Sequence, residues 1–487
     1  MPFQADSLEQ DALEVLSNIR SLKNSLAPIN RIPPKVLSLI PDYSDEYEPD
    51  EPSITLTHVC RSWRAIFISR PSLWTSLTFT DIDKTRTFIE RSKSSPLNIY
   101  ASNVNGETFL DDALSLVIPH IPRLKSLSFN FDAIPETLRN FHCHVPLLEV
   151  LEICINSPQA QILDIPLLNG DLPSLRTLSL IGDVIQLPQK KMSSLKEFCL
   201  SCTPGRVTVT QSLNFLKSAP LLHTINIGDS IPNSSDSPSE RIVTLGHLKA
   251  LDITTDMAHQ ICKHLRIPAG VSFSVSAPIR NEAFPPLELL RGTSPNIENL
   301  SHITTIDLCF ESDGKLAALS GPSGSFRLSC WRENPAISST TIDNHFFRSI
   351  SPRILSTTER LTISDHVHPD PTDVEAWPTF QTLLSTNNPH TLALYRCNDK
   401  PFIFALDPGK NSFEIVLCPS SKELILSVHP WGLTDGLVSM AKGRASRGAR
   451  LSSITIIPGA ISVWETEVSE LREHVTRLDC KVGPSWM

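Results

Sequence analysis

The sequence predicts an α/β protein: an N-terminal helical hairpin, then a curved sheet of short parallel strands with helices and loops on its convex side. Three observations carry this reading. Two short apolar segments, 28–40 and 54–77, have helical spacing and are too small to bury themselves, because fewer than about 40 residues seldom form a core of their own. From about residue 120 onward, the pattern apolar-x-x-apolar-x-apolar recurs at near-constant intervals. The whole chain, 487 residues with 40% hydrophobic and 20% charged, has an ordinary globular composition and the length for a large core.

The first element is an amphipathic helix over 1–27. Leu8, Ala12, Val15, Ile19, Leu22 and Leu26 are spaced alternately four and three apart, which makes a heptad seam. The seam is shorter than the three to four heptads usual for a coiled coil. The reading therefore favours a single helix, folded against the hairpin or frayed in solvent, over a dimer.

The hairpin spans 28–78. Pro33 and Pro34 suit a helix start, where a missing N–H costs nothing, and Val36, Leu37 and Ile40 line one side before Pro41 ends the helix. In the second helix, Leu56, Val59, Cys60, Trp63, Ile66 and Phe67 share one face. Between them, Asp42, Asp45, Glu46, Glu48, Asp50 and Glu51 read as a solvated acidic loop, or as a patch for a basic partner.

Three runs in this segment, Ile-Pro-Pro-x-Val-Leu at 32–37, Leu-x-x-Val-Cys-x-x-Trp-Arg at 56–64 and Pro-Ser-Leu-Trp at 71–74, together resemble the F-box, in the form common in large fungal families. Two positions depart from it. Lys35 stands where the family usually has Glu, and Pro41 shortens the first helix. The resemblance implies docking on a Skp-type adaptor and, through it, on a cullin scaffold. It assigns Ile32, Pro33, Leu37, Leu56, Val59, Cys60 and Trp63 to the docking surface, some of them shared with the hairpin's own small core.

The remainder, 79–487, carries the repeat. Units begin at Leu124, Leu148, Leu175, Leu195, Leu222, Leu248 and Ile303, with a further full template at Leu451. The wide interval before Ile303 fits two periods, the missing unit being Val271, Phe273 and Val275. A period of roughly 20–29 residues with this template marks a leucine-rich-repeat solenoid. Asp132, Asn156, Asp183, Thr203, Ser230, Asp256 and Glu311, each three beyond the last strand apolar, are placed to accept backbone hydrogen bonds as the chain turns under. Past about residue 310 the repeats diverge. Phe326-Leu328, Leu361-Ile363, Leu392-Leu394, Leu424-Leu426-Val428 and Ile454-Ile456 read as strands continuing one curved sheet, with loop insertions at 228–240, 278–296 and 313–325.

No phosphate loop, nucleophile elbow or zinc-protease motif is present in the sequence. Cys199-x-x-Cys202, His142-Cys143-His144, His259-x-x-Cys262-x-His264 and the stretch from Asp365 to Asp370 each fall short of a metal set, so no metal, cofactor or catalytic residue is expected. The cations Lys442, Arg444, Arg447 and Arg450 lack interleaved aromatics and read as a solvated loop. With a net charge of −9, nucleic acid is an unfavourable partner. No run is apolar enough for a membrane span, and the acidic N-terminus does not suit a leader. Eleven unpatterned cysteines read as reduced thiols in a cytoplasmic or nuclear protein.

The sequence thus points to a non-catalytic substrate-recognition subunit of a cullin-type ubiquitin ligase, its hairpin on the adaptor and its repeats on an unidentified protein substrate. Two alternatives remain open: a repeat scaffold whose hairpin is only an N-terminal cap, and a metal-dependent enzyme built on one of the Cys/His clusters.

Overall fold

The computed structural model describes residues 2–40, 51–102, 107–131, 144–155, 168, 170–182, 187–201, 207–228, 242–254, 258–279, 297, 302–310, 314–322, 324–332, 357–365, 384, 388–395, 399–411, 416–428, 436–458 and 465–480. It is a mixed α/β protein with mostly parallel strands and a helix at its N-terminus. The chain divides into two compact units, Met1–Leu195 and Lys196–Met487.

The first unit opens with α1 (Pro2–Leu26) and a 3-10 turn at Pro28–Arg31. Three short helices come next: α2 (Pro34–Leu37), α3 (Glu51–His58) and α4 (Arg61–Ile68). The sequence expectation of one continuous helix from Leu56 to Phe67 is corrected here. The helix breaks at Val59 and Cys60, and Cys60 is extended, with φ −161° and ψ 171°. Thr57, His58, Val59 and Cys60 are all weak helix formers, so nothing local resists the break.

The sheet begins earlier than the repeat template reached. After a 3-10 turn at Pro71–Trp74 come β1 (Ser76–Thr78), α5 (Ile82–Ser92), β2 (Leu97–Ser102) and α6 (Glu107–Val117). Beyond them lie β3 (Leu124–Phe131), β4 (Val150–Ile155) and β5 (Thr177–Gly182). All pair parallel, each with the next in sequence. Leu77, Ile99, Leu127, Leu151 and Leu178 stand in one register row, and Ala101, Phe129, Ile153 and Leu180 in another. Every one of these side chains is buried, each contributing roughly 1.5–3 kcal/mol where it is large and aliphatic or aromatic.

Turns ahead of the strands repeat as well. The carbonyls of Val145, Leu172 and Met192 accept from the amides of Leu148, Leu175 and Leu195, each at 3.3 Å. The Ser174 hydroxyl donates to the Pro146 carbonyl at 2.6 Å, and the Ser194 hydroxyl to that of Pro173 at 2.5 Å. Successive turns are therefore stitched by a serine. Gly182 closes β5 at φ 121°, and a Cβ there would lie 2.0 Å from the Ile155 carbonyl oxygen, so only glycine fits. The seven polar positions expected at the strand exits, Asp132 to Glu311, lie outside the described residues.

The second unit continues with β6 (Glu197–Ser201), α7 (Val209–Ser218), β7 (Thr224–Ile227), β8 (Val243–Thr244) and β9 (Ala250–Thr254). Helix α7 opens with a capping box, in which Thr208 and Gln211 each bond the other's backbone amide. Next come α8 (Ala258–Lys263), β10 (Leu265–Arg266) and β11 (Ser272–Ile279), with β8 and β10 paired apart from the main sheet. Phe273 and Val275 of β11 are buried, in register with Leu251 and Ile253 of β9.

Past β11, two sequence expectations are corrected. The segment 313–325 is no loop insertion. It holds β13 (Gly314–Gly321) and the start of β14 (Gly324–Arg332), which with β12 (Thr305–Phe310) form an antiparallel meander. The unit at Ile303 is also not the neighbour of β11, because β14 pairs with β11 and β12 pairs with β15 (Arg360–Asp365). Three antiparallel strands leave β12 and β14 pointing the same way, so parallel pairing resumes on either side. The small residues of β13, Ala317, Ala318 and Ser320, disguise it as a turn-rich stretch.

The unit is completed by β16 (Thr391–Tyr395), α9 (Asp399–Leu406), β17 (Glu423–Val428), α10 (Leu437–Ser446), β18 (Ser453–Pro458), α11 (Glu465–His474) and β19 (Arg477–Cys480). Ile306, Leu361, Leu392, Leu424, Ile454 and Leu478 align in one row through these strands.

The cationic stretch is corrected too. Lys442 and Arg444 lie on α10, and Arg444 is 1% exposed. Its Nη1 donates to the Leu417 carbonyl at 2.7 Å and its Nη2 to that of Cys418 at 2.8 Å. Cys418 is held at φ 48°, a region that side chains disfavour. Arg450 donates through Nε and Nη2 to the carbonyls of His474 and Glu473, satisfying the end of α11. Helix α10 buries the Arg444 stem because its guanidinium fork finds carbonyls, while Lys442, Arg447 and Arg450 stay exposed.

Candidate functional site

The residues assigned by resemblance to adaptor docking fall into three groups. Leu37 and Trp63 are buried with Phe67 in a small core, against which Ile32, Leu56, Cys60, Ile66 and Leu73 are packed, partly buried. Trp63 meets Phe67 edge-on, with ring centroids 5.6 Å apart. Pro33 and Val59 are exposed, Val59 by 50%. The structure therefore brings Leu37 and Trp63 together as core, leaves Pro33 and Val59 at the surface, and sets Ile32, Leu56 and Cys60 between.

The chain itself explains why Trp63 points inward. Its indole Nε1 donates to Asn30 Oδ1 at 2.5 Å, and Asn30 Nδ2 donates to the Asn24 carbonyl at 2.7 Å. Asn30 thus ties the end of α1 to the centre of the hairpin. It was missed in the sequence, where a lone Asn between two apolar helices carries no pattern.

Trp74, part of the Pro-Ser-Leu-Trp run, was left without a role in the sequence reading. It is fully buried, donates through Nε1 to the Phe67 carbonyl at 3.0 Å, and packs edge-on against Phe88 of α5 at 4.9 Å. The Arg91 guanidinium lies over its ring at 4.3 Å. Ser53 adds a 2.8 Å hydroxyl bond to the Leu73 carbonyl. The signal was available: a Trp directly before the first strand, after a Pro that suits a 3-10 start.

Around this core the surface is apolar. Val36 is 51% exposed, and Ile29, Leu39 and Ile40 are exposed as well. Sequence reasoning placed Val36 and Ile40 on the hairpin's apolar side but left them, with Leu39, out of the docking set. The acidic run from Asp42 to Asp50 lies outside the described residues.

The outward face of the sheet in the second unit carries both a cation and an aromatic. Along β14, Phe326, Leu328 and Cys330 are buried, while Arg327 is exposed and Trp331 half-buried on the opposite face. Asp252, Ser274 and Arg327 stand side by side in register. Burial raises the Asp252 carboxyl above its ordinary value, while a hydrogen bond from Ser274 and the Arg327 charge pull the other way. The Ser329 hydroxyl donates to that of Ser276 at 2.8 Å.

The candidate metal clusters lie partly outside the described residues. Cys262 is buried in α8 and burial pushes its thiol well up, while burial and Lys263 lower His264. Cys199 lies on β6, and Cys202, His142, Cys143 and His366 to Asp370 lie outside the described residues. Among the described residues, no three His, Cys, Asp or Glu side chains are grouped to hold a metal ion, and no helix is long and apolar enough to cross a membrane.

No protein-family model matches the chain, and no curated protein matches it.

Proposed function

We propose that this protein is a non-catalytic substrate-recognition subunit of a cullin-type ubiquitin ligase. Segment 28–78 is an F-box that docks on a Skp-type adaptor. The strands beyond it are a leucine-rich-repeat-like solenoid that holds a protein substrate, raising its effective concentration near the ubiquitin-carrying enzyme. One observation carries the reading. The segment with the F-box-like motifs is a small closed core whose flanks, Val36, Leu39, Ile40 and Val59, leave apolar side chains bare. These exposed positions, with Pro33, are the docking residues of this proposal. Leu37 and Trp63 support them from beneath.

On the substrate side, Arg327 and Trp331 supply the anchor types that dominate binding energies at interfaces. Both lie on β14, which makes this strand of the meander the substrate-reading feature of the sheet. The rival reading, a scaffold whose helical segment merely caps the sheet, is favoured by Trp74, which buries the segment's end against α5.

One experiment separates the two. Tagged protein is used to capture adaptor and cullin from a cell extract, alongside Val36→Asp and Val59→Asp variants. The adaptor reading expects co-capture, lost by at least about tenfold in either variant with thermal unfolding unchanged. Capture of neither partner, with normal folding, supports the cap.

A further inference from the structure

Helix α1 is amphipathic, but it is mounted backwards. Its contacts with the hairpin come from its polar side: Ser17 Oγ accepts from Arg61 Nη2, and the Asn24 carbonyl accepts from Asn30 Nδ2. Ser17 and Asn24 are seven apart and lie opposite the heptad seam. The seam itself faces out, with Leu8, Val15, Ile19, Leu22 and Leu26 between 58% and 69% exposed. Leu16, flanking it, is 42% exposed. Among the described side chains of α1 only Ser17 and Ser21, on the polar side, are partly covered, and a helix that presents its apolar face to water in this way is built for something outside the chain.

We propose that this occupant is α1 of a second copy, running antiparallel. Charge selects the direction. Glu9, Asp11 and Glu14 lie in the N-terminal half of the helix, and Arg20 and Lys23 in the C-terminal half. A parallel pair would set like ends together, whereas an antiparallel pair sets unlike ends together. The register agrees with the charge. Pairing Leu8 with Leu26, Ala12 with Leu22 and Val15 with Ile19 of the second copy fills every seam layer. The positions flanking the seam then fall as Glu9 against Lys23, Leu16 against Leu16, and Lys23 against Glu9. The contact is a two-fold, self-complementary one, the commonest form of homo-oligomer interface. Both copies keep their hairpins on the outer, polar faces of the helix pair, so adaptor docking and dimerisation use different surfaces.

Sedimentation equilibrium on the full chain tests this with Ile19→Asp, Glu9→Lys, Lys23→Glu and the Glu9→Lys/Lys23→Glu double variant. The expected result is a dimer that Ile19→Asp converts to monomer, with the unfolding of dilute, monomeric protein unchanged, since Ile19 is not buried in the single chain. Each charge reversal alone weakens the dimer by about tenfold, because it creates two like-charge pairs, and the double variant restores it. The reversals sit at exposed positions, so they decide the matter even if Ile19→Asp folds poorly. A monomer up to about 100 µM, or a dimer indifferent to Ile19→Asp, would overturn the proposal. A double variant no tighter than the single ones overturns the antiparallel arrangement, because in a parallel pair these two positions never meet.

Discussion

Helix α1 and the strand rows are equally regular in sequence and opposite in fate. The apolar residues of α1 recur at four and three and stand mostly bare, while those of β3 to β5 recur with the repeat and are buried almost completely. Periodicity says which side chains share a face. It does not say what covers the face. In the sheet, each strand's neighbours supply the same buried face again in register. In α1 the hairpin occupies the polar side, and the apolar side has no cover from the described residues of this chain.

The largest effect that would break this comparison comes from paired truncations. Leu178→Ala, in the centre of a fully buried row, should cost about 2–5 kcal/mol by opening a cavity. It should also loosen neighbouring strands, since each rests on the next. Leu22→Ala on α1 removes an equally large side chain, yet should shift the unfolding of dilute, monomeric protein by less than about 0.5 kcal/mol. Chemical denaturation of both variants reads this directly. Equal losses would mean that α1 is covered within the single chain.

A second, somewhat smaller effect concerns Arg444. Its fork satisfies two buried carbonyls and holds Cys418 in a disfavoured backbone region. Arg444→Lys retains the charge but cannot bridge both oxygens, and should cost about 2–3 kcal/mol. Thermal unfolding measures it, and a lysine variant as stable as the parent would show that the fork is dispensable.

The smallest effect is electrostatic. Burial holds the Asp252 carboxyl above its ordinary value of 3.8, partly offset by Ser274 and Arg327. The native chain therefore binds that proton more tightly than the unfolded chain, so stability declines as pH rises above 3.8 through the native value. Asp252→Asn should flatten that part of the stability profile. A profile unchanged by the substitution would place the carboxyl in a better-solvated setting.

Some of this was legible in advance for definite reasons. The strand rows from Leu124 to Leu251 arise from a local template in which burial and register share one period. Strands β1 and β2 were missed because Leu77 and Ile99 sit in short strands without the full template. The helix break at Cys60 was missed because the apolar spacing runs straight through it. Trp63 was assigned to a docking surface shared in part with the hairpin's own core, and in the structure its indole bonds Asn30 and its ring meets Phe67. That makes Trp63→Ala a folding variant of the hairpin rather than a clean probe of docking.

By itself the sequence determined the α/β class, the faces of the helices and the order of most strands, because these depend on spacing within a few residues of each position. Tertiary structure alone decided the rest. The reversal of β13 depends on which edge β11 and β15 leave open for the meander. The burial of Arg444 depends on carbonyls of a turn that lies distant in the chain. The outward seam of α1 depends on which of its two faces the hairpin's Asn30 and Arg61 can reach. In each case the deciding surface belongs to residues far away in sequence, and no local pattern records them.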